Sequence, residues 1–263
     1  MAKKNSGMKT LTYQKILILI LIIAIIVFQF VDFHLFENVK DTTIVTNSII
    51  RFLGGIVFVV LLISFDHAKL FQIKNLGKSL LIILPALIIS INNFPIIAFF
   101  DGRATLAEPG YRVFLFFIEC LSIGFFEEII FRGIILVLLL KKLAQTKNGV
   151  FLSIVISSAI FGLIHVLNLF DGASMGDTVL QIGYSFLVGM MWAVMFLKTG
   201  NLWLTMLLHA TYNFFGQVMF YLGSVDGRYD IYTIGITTLF AVIVAGYSII
   251  LFNKLEEKPI INL

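Results

Sequence analysis

The chain has 263 residues, of which 59% are hydrophobic and 13% charged, and its mean hydropathy is +1.01. Those values exclude an ordinary soluble domain and describe a polytopic membrane protein. The net charge of +4 does not point to nucleic acid, because the basic residues fall in short loops between apolar runs, where they report topology.

Residues 1–15 are polar and carry Lys3, Lys4, Lys9 and Lys15, and 16–31 are unbroken hydrocarbon apart from Gln29. No small-residue cleavage site follows, so the run reads as an uncleaved first span and not a signal peptide. A second run, 46–65, is interrupted by Arg51. A third, 80–100, contains Pro85, Asn92, Asn93 and Pro95 and is predicted to be kinked and partly water-lined. The fourth covers 111–140, the fifth 149–170, the sixth 178–197, the seventh 202–222 and the eighth 231–252. Each approaches the ~20 residues that cross a bilayer. The expected fold is an all-α polytopic membrane helix bundle of about eight transmembrane helices. Alternate connecting segments, starting from the N-terminus, hold thirteen basic residues, whereas the others hold only Lys40, Arg103, Arg112 and Arg228 among nine acidic ones. That asymmetry places both termini in the cytoplasm. The lone cysteine, Cys120, sits inside the fourth run and forms no intrachain disulfide.

The fourth run contains the stretch Gly124-Phe125-Phe126-Glu127-Glu128-Ile129-Ile130-Phe131-Arg132-Gly133. A formal charge at mid-membrane costs roughly 2.5–3.5 kcal/mol, so with Glu119 this helix carries on the order of 10 kcal/mol before pairing. The default reading of such groups is a functional site; the plainer one is that they only lock helices together. At about 100° per residue, Glu128 and Arg132 share a face and can pair within the helix, while Glu127 points about 100° away. Glu128 and Arg132 therefore read as a supporting pair and Glu127 as the free carboxylate. Crowding by a second carboxylate and partial burial make such a group a better base. Glu119 has no evident role: it could line the cavity, or pair with Arg112 or Arg103.

Two of the four histidines lie within spans; His34 and His67 are at loop edges, where solvation explains them. His165 belongs to the fifth span and follows Phe161 and Gly162, a glycine that lets a neighbouring helix come close. His209 lies in the seventh span on a stripe with Thr205, Asn213 and Gln217, a pattern that faces a cavity or another helix and not lipid. Counted from the cytoplasmic ends at 1.5 Å per residue, Glu127 lies about 20 Å deep, His165 about 24 Å, and His209 with Asn213 about 10–16 Å. That spread permits one site.

Glu127-Glu128-x-x-x-Arg132, Phe161-x-x-x-His165 and His209-x-x-x-Asn213, in this order and with these local words, resemble the signature of the CPBP family. That family comprises CAAX-prenyl-type endopeptidases and bacteriocin-processing or self-immunity proteins, and is also called Abi. The resemblance covers roughly 108–220. It divides the chain into three N-terminal helices (1–107), a catalytic core of helices four to seven (108–222), and an eighth helix with a cytoplasmic tail (223–263). It implies an intramembrane peptidase in which Glu127 activates water, His165 assists or orients that water, and His209 with Asn213 stabilises the oxyanion. Glu128 and Arg132 would hold the helix geometry. His165, His209 and a carboxylate could form a three-ligand zinc site with an open position, or act directly as acid and base; both remain open.

The expected partners are a peptide or protein substrate and the lipid bilayer, with no nucleic acid. The substrate is expected to enter a polar cavity among helices four to seven. The composition is that of a bacterial cell-membrane protein, in which self-immunity to a bacteriocin or peptide maturation is the first role to consider. A membrane scaffold that binds partner proteins without catalysis is the alternative. A proton-coupled transporter ranks last, because no half-to-half symmetry of broken helices is visible.

Overall fold

The computed structural model describes residues 35–73, 75–170, 172–227 and 230–255, together with Leu19 and Ile23. The expected first span, 16–31, thus lies outside the described residues but for those two. The remainder is an all-α membrane-type bundle. Helix α1 (Val39–Ser64) starts earlier than the apolar run predicts, because Asn38 caps it by accepting from the Asp41 amide at 3.2 Å. Its first-turn charges also find partners: Lys40 reaches Glu108 at 2.7 Å, and Asp41 takes the Nε of Arg112 at 2.6 Å.

The expected third span divides. Helix α2 (Leu76–Asn92) runs uninterrupted through Pro85 and ends before Pro95, after which a single turn, α3 (Ile96–Phe100), follows. A proline disfavours helical backbone in the residue before it, and the chain has already left the helix at Asn93 and Phe94. Strand β1 (Ala104–Leu106) then pairs antiparallel with β2 (Gly223–Val225), Thr105 opposite Ser224. This short ribbon, absent from the helix pattern of the sequence, joins the start of the central helix to the end of the helix carrying His209.

The central rod is α4 (Gly110–Glu128), continued by a π-helical segment (Ile129–Leu136) and α5 (Val137–Leu143). Helix α6 (Lys147–Leu163) is capped by Thr146 and tightens into a 3₁₀ segment (Ile164–Leu169). Helix α7 (Met175–Thr199) is capped by Ser174 and closed by Gly200 in the left-handed region. Helix α8 (Leu202–Tyr221) begins on Asn201, and α9 (Ile231–Asn253) on Asp230. Among the described residues, α1, Lys147–Leu169, α7 and α9 are long and apolar enough to cross a membrane. Helix α9 turns Leu239, Val242, Ile243 and Ile249 outward, as a lipid-facing helix does.

Close approach at two glycines fixes the core. A Cβ on Gly124 would come within 2.6 Å of the Met206 carbonyl oxygen, so α4 and α8 meet backbone to backbone there. A Cβ on Gly162 would lie 2.9 Å from the Ile182 carbonyl oxygen, which brings α6 equally close to α7.

Glu119 does not pair with Arg112 or Arg103. Its carboxylate takes Arg51 Nη1 at 3.1 Å and Asn47 Nδ2 at 3.2 Å, both from α1. Arg112 is committed to Asp41 and Glu108, and Arg103 to Asp101 and Asp230. The charge that interrupts the second apolar run, Arg51, is therefore answered by one of those in the fourth, Glu119. Because both are largely buried, Arg51→Met alone should cost about 3–5 kcal/mol by leaving Glu119 uncompensated. The double variant Arg51→Met/Glu119→Met should recover most of that loss. A double-mutant cycle of unfolding in detergent checks this, and a coupling below about 0.5 kcal/mol would refute the pairing.

At the start of α9, Asp230 accepts from the amides of Tyr232 and Thr233 and from the Thr233 hydroxyl. The Thr233 amide and hydroxyl, with help from Arg103 and the Tyr232 amide, pull its carboxyl from the ordinary 3.8 to about 2 against the opposing effect of burial. A depressed carboxyl stabilises the fold fully above its unfolded value and loses that contribution as pH falls from about 4 to about 2. Asp230→Asn should lower the melting temperature at pH 7 and flatten the acid limb of a melting-temperature profile over that window.

Candidate active site

Glu128 is the last residue of α4, and its side chain is fully buried. Arg132, one turn on in the π segment and 1% exposed, donates Nη1 to Glu128 Oε1 at 2.6 Å and Nη2 to the Gly189 carbonyl at 3.1 Å. Its guanidinium also lies 4.8 Å from the Phe161 ring centre and 5.4 Å from that of Trp192. Each hydrophobic neighbour thus presents a π face to the cation. Gly189 makes the fit possible: a Cβ there would stand 3.0 Å from Phe161 Cδ1 and 3.4 Å from Arg132 Nη2.

His209 is buried and its Nδ1 lies 3.0 Å from the same Glu128 Oε1. An ionised carboxylate can only accept, so Nδ1 carries the proton and Nε2 turns the other way. Nε2 is 3.8 Å from Glu127 Oε2. Trp192 stacks on the imidazole at 4.5 Å, and Phe161 meets it edge-on at 5.6 Å. Glu127 differs from Glu128 in exposure, with a side chain 24% exposed, although Oε2 of each has no hydrogen-bond partner among the described residues. It is the open carboxylate of the cluster.

His165 lies in the 3₁₀ segment and not in a regular α-helix as the sequence pattern suggests. It is half-buried, edge-on to Phe161 at 5.6 Å, and within electrostatic reach of both Glu127 and His209. Its Nδ1 is 3.3 Å from Gln181 Nε2, and Asn168 Nδ2 donates to Gln181 Oε1 at 2.7 Å. Asn213 follows His209 by one turn and is half-buried. The polar stripe grades outward from it: Thr205 is buried and bonds the Leu202 carbonyl, whereas Gln217 is exposed. The stripe's outer end is therefore open.

Apart from this cluster, a space of about 410 Å³ opens between α2, α6, α7, α8 and α9, lined by groups such as Ile89, Val188, Met191, Tyr212 and Val244. It is apolar and does not include Glu127, His165, His209 or Asn213. Among the described residues no three His, Cys, Asp or Glu side chains are grouped as a three-ligand zinc set requires. The Nδ1 contact of His209 to Glu128 leaves Nε2 free to coordinate.

Residues 109–215 match the model of the type II CAAX prenyl endopeptidase Rce1-like family. The match is to this segment, somewhat under half of the chain. It spans α4 through most of α8 and holds every residue of the cluster just described, in agreement with the CPBP resemblance of the three motifs. The Rce1-like family is one of proteases. No curated protein and no solved structure matches the chain.

Four residues escape motif reading. Gly189, Trp192, Gln181 and Asn168 complete the surroundings of Arg132, His209 and His165 from α7 and the 3₁₀ segment. The available signal was a glycine and an uncommon tryptophan spaced three apart in an otherwise apolar span. Gly189→Ala should push Arg132 away from its carbonyl partner and cost about 1–3 kcal/mol by overpacking, read as a lower melting temperature in detergent.

Proposed function

We propose that the protein is an intramembrane endopeptidase in which Glu127 activates water for attack on a peptide carbonyl. The supporting observation is the contrast within one cluster. Glu128 is fully buried with its Oε1 engaged by both Arg132 and His209, while Glu127 has a side chain 24% exposed and pairs with no lysine or arginine among the described residues. A general base must be reachable by its proton donor and must not already be engaged in an ion pair.

In this reading Glu127 Oε2 takes a proton from water as the oxygen attacks the carbonyl carbon. The resulting oxyanion accepts hydrogen bonds from the Asn213 amide and from an imidazole N–H. Glu127 then returns the proton to the amide nitrogen, the C–N bond breaks, and an acid and an amine leave. Glu128 keeps the neutral His209 oriented with Nε2 toward Glu127. Buried π faces and the Arg132 cation hold the set rigid, so little reorganisation accompanies the reaction.

The substrate would be a short peptide or a membrane-proximal segment of a protein. The chain would lie in a cell membrane as eight spans with both termini in the cytoplasm, following its basic loops. Maturation of a peptide or self-immunity to a bacteriocin is the setting that such a substrate fits.

Wild type and Glu127→Gln, purified in detergent and matched in thermal stability, would be incubated with a mixed peptide library and new termini read by mass spectrometry. Loss of the base should reduce cleavage about 10²–10⁴-fold. Equal cleavage by both overturns the assignment of Glu127, and a cellular phenotype that survives Glu127→Gln supports a non-catalytic scaffold instead.

A further inference from the structure

The two imidazoles of the site are held by different chemistry. His209 faces a carboxylate, which can only accept, so Nδ1 carries a proton, and in the neutral imidazole Nε2 is a lone pair. His165 faces an amide, which can do either, so its tautomer depends on how Gln181 is turned. In the orientation both amides have here, Asn168 Nδ2 donates to Gln181 Oε1 at 2.7 Å and leaves Gln181 Nε2 to face His165 Nδ1 at 3.3 Å. An N–H donor requires His165 Nδ1 to accept. The single proton of a neutral His165 is then on Nε2.

Local backbone geometry explains the arrangement. His165 and Asn168 are three apart in the 3₁₀ segment Ile164–Leu169, where side chains at i and i+3 eclipse. Both therefore face the same stretch of α7, and one glutamine there can engage both. In a regular α-helix the two would be offset by a fraction of a turn. Gly162, immediately before this segment, brings α6 against the backbone of Ile182, the neighbour of Gln181.

We propose that Gln181, oriented by Asn168, is a positioning residue that fixes His165 as the N–H donor of the site. This rests on the peptidase reading and deepens it. The donor that meets the oxyanion beside Asn213 is His165 Nε2–H, whereas neutral His209 presents only a lone pair toward Glu127. The roles implied by family resemblance for the two histidines are thereby exchanged.

Gln181→Glu is the decisive variant. A carboxylate still accepts from Asn168 but must also accept from His165, which moves the imidazole proton to Nδ1 and leaves Nε2 bare. Gln181→Met keeps the length and removes the clamp. Protein carrying ¹⁵N-histidine would be examined by NMR in detergent, with a His165→Asn variant identifying the resonances. Nε2–H is expected for His165 in the wild type and Nδ1–H in Gln181→Glu. On any peptide that the wild type cuts, kcat for Gln181→Glu should fall about 10–100-fold with KM little changed, and Gln181→Met should fall less. Melting temperatures within a few degrees of wild type would show that the fold is kept, and Gln181→Met gives the same readout should the charged variant not fold. Nδ1–H at His165 in the wild type, or unchanged resonances in both Gln181 variants, overturns the proposal. The spectra need no substrate, so failure to find a cleaved peptide bears on the peptidase reading and not on the clamp.

Discussion

The structure depends on one carboxylate. Glu128 is shut away from solvent inside an apolar bundle, where an unpaired charge is destabilising by several kcal/mol. The partners of its Oε1 reduce that penalty, while Oε2 has no partner among the described residues. Arg132 supplies the countercharge from one turn away, and His209 supplies a neutral N–H from another helix. Arg132 has to be satisfied in turn, which it is by the Gly189 carbonyl and by the faces of Phe161 and Trp192. Gly189 has to lack a side chain for that contact to form. One buried ion thus constrains residues on α4, the π segment, α6, α7 and α8, and the packing of five segments follows from satisfying it.

The central rod shows the same logic along its length. Arg112 is answered by Asp41, Glu119 by Arg51 and Glu128 by Arg132. The first two partners come from α1, which explains why that helix carries charges in an apolar run. Only Glu127 has no cation within hydrogen-bonding distance among the described residues; its nearest partner is a histidine nitrogen at 3.8 Å. Carboxylates held by a cation contribute rigidity and are poor bases. The one without a cation and partly exposed is the group proposed above to take part in proton transfer.

What could be read from sequence was whatever a single helix determines. The Glu128–Arg132 pair follows from i,i+4 spacing, and it survives even though Arg132 lies in a π-helical segment that no pattern announced. Helices α7, α8 and α9 lie within three residues of their predicted bounds because Ser174, Asn201 and Asp230 cap them. The partners across helices were not legible. Arg51 and Glu119 are 68 positions apart, and nothing local says that α1 packs on α4 at that depth. Pro85 and Pro95 look alike in a sequence, yet the bundle accommodates one inside α2 and breaks the chain at the other. The β1–β2 ribbon joins residues more than a hundred positions apart and carries no alternation long enough to detect.

The 3₁₀ segment carries the finest of these distinctions. Tightening the end of α6 changes the spacing of His165 and Asn168 from a partial turn to an eclipsed pair, and only then can one glutamine read both. The proton on His165 is consequently set by an amide two side chains away, while the proton on His209 is set directly by a charge. A site that needs one imidazole to donate and another to accept cannot obtain both from identical surroundings. Placing one beside a carboxylate and the other beside an amide fixes opposite tautomers with no second charge buried beside His165. In a bilayer, where every additional charge is destabilising, an amide relay is the less costly way to hold the second histidine.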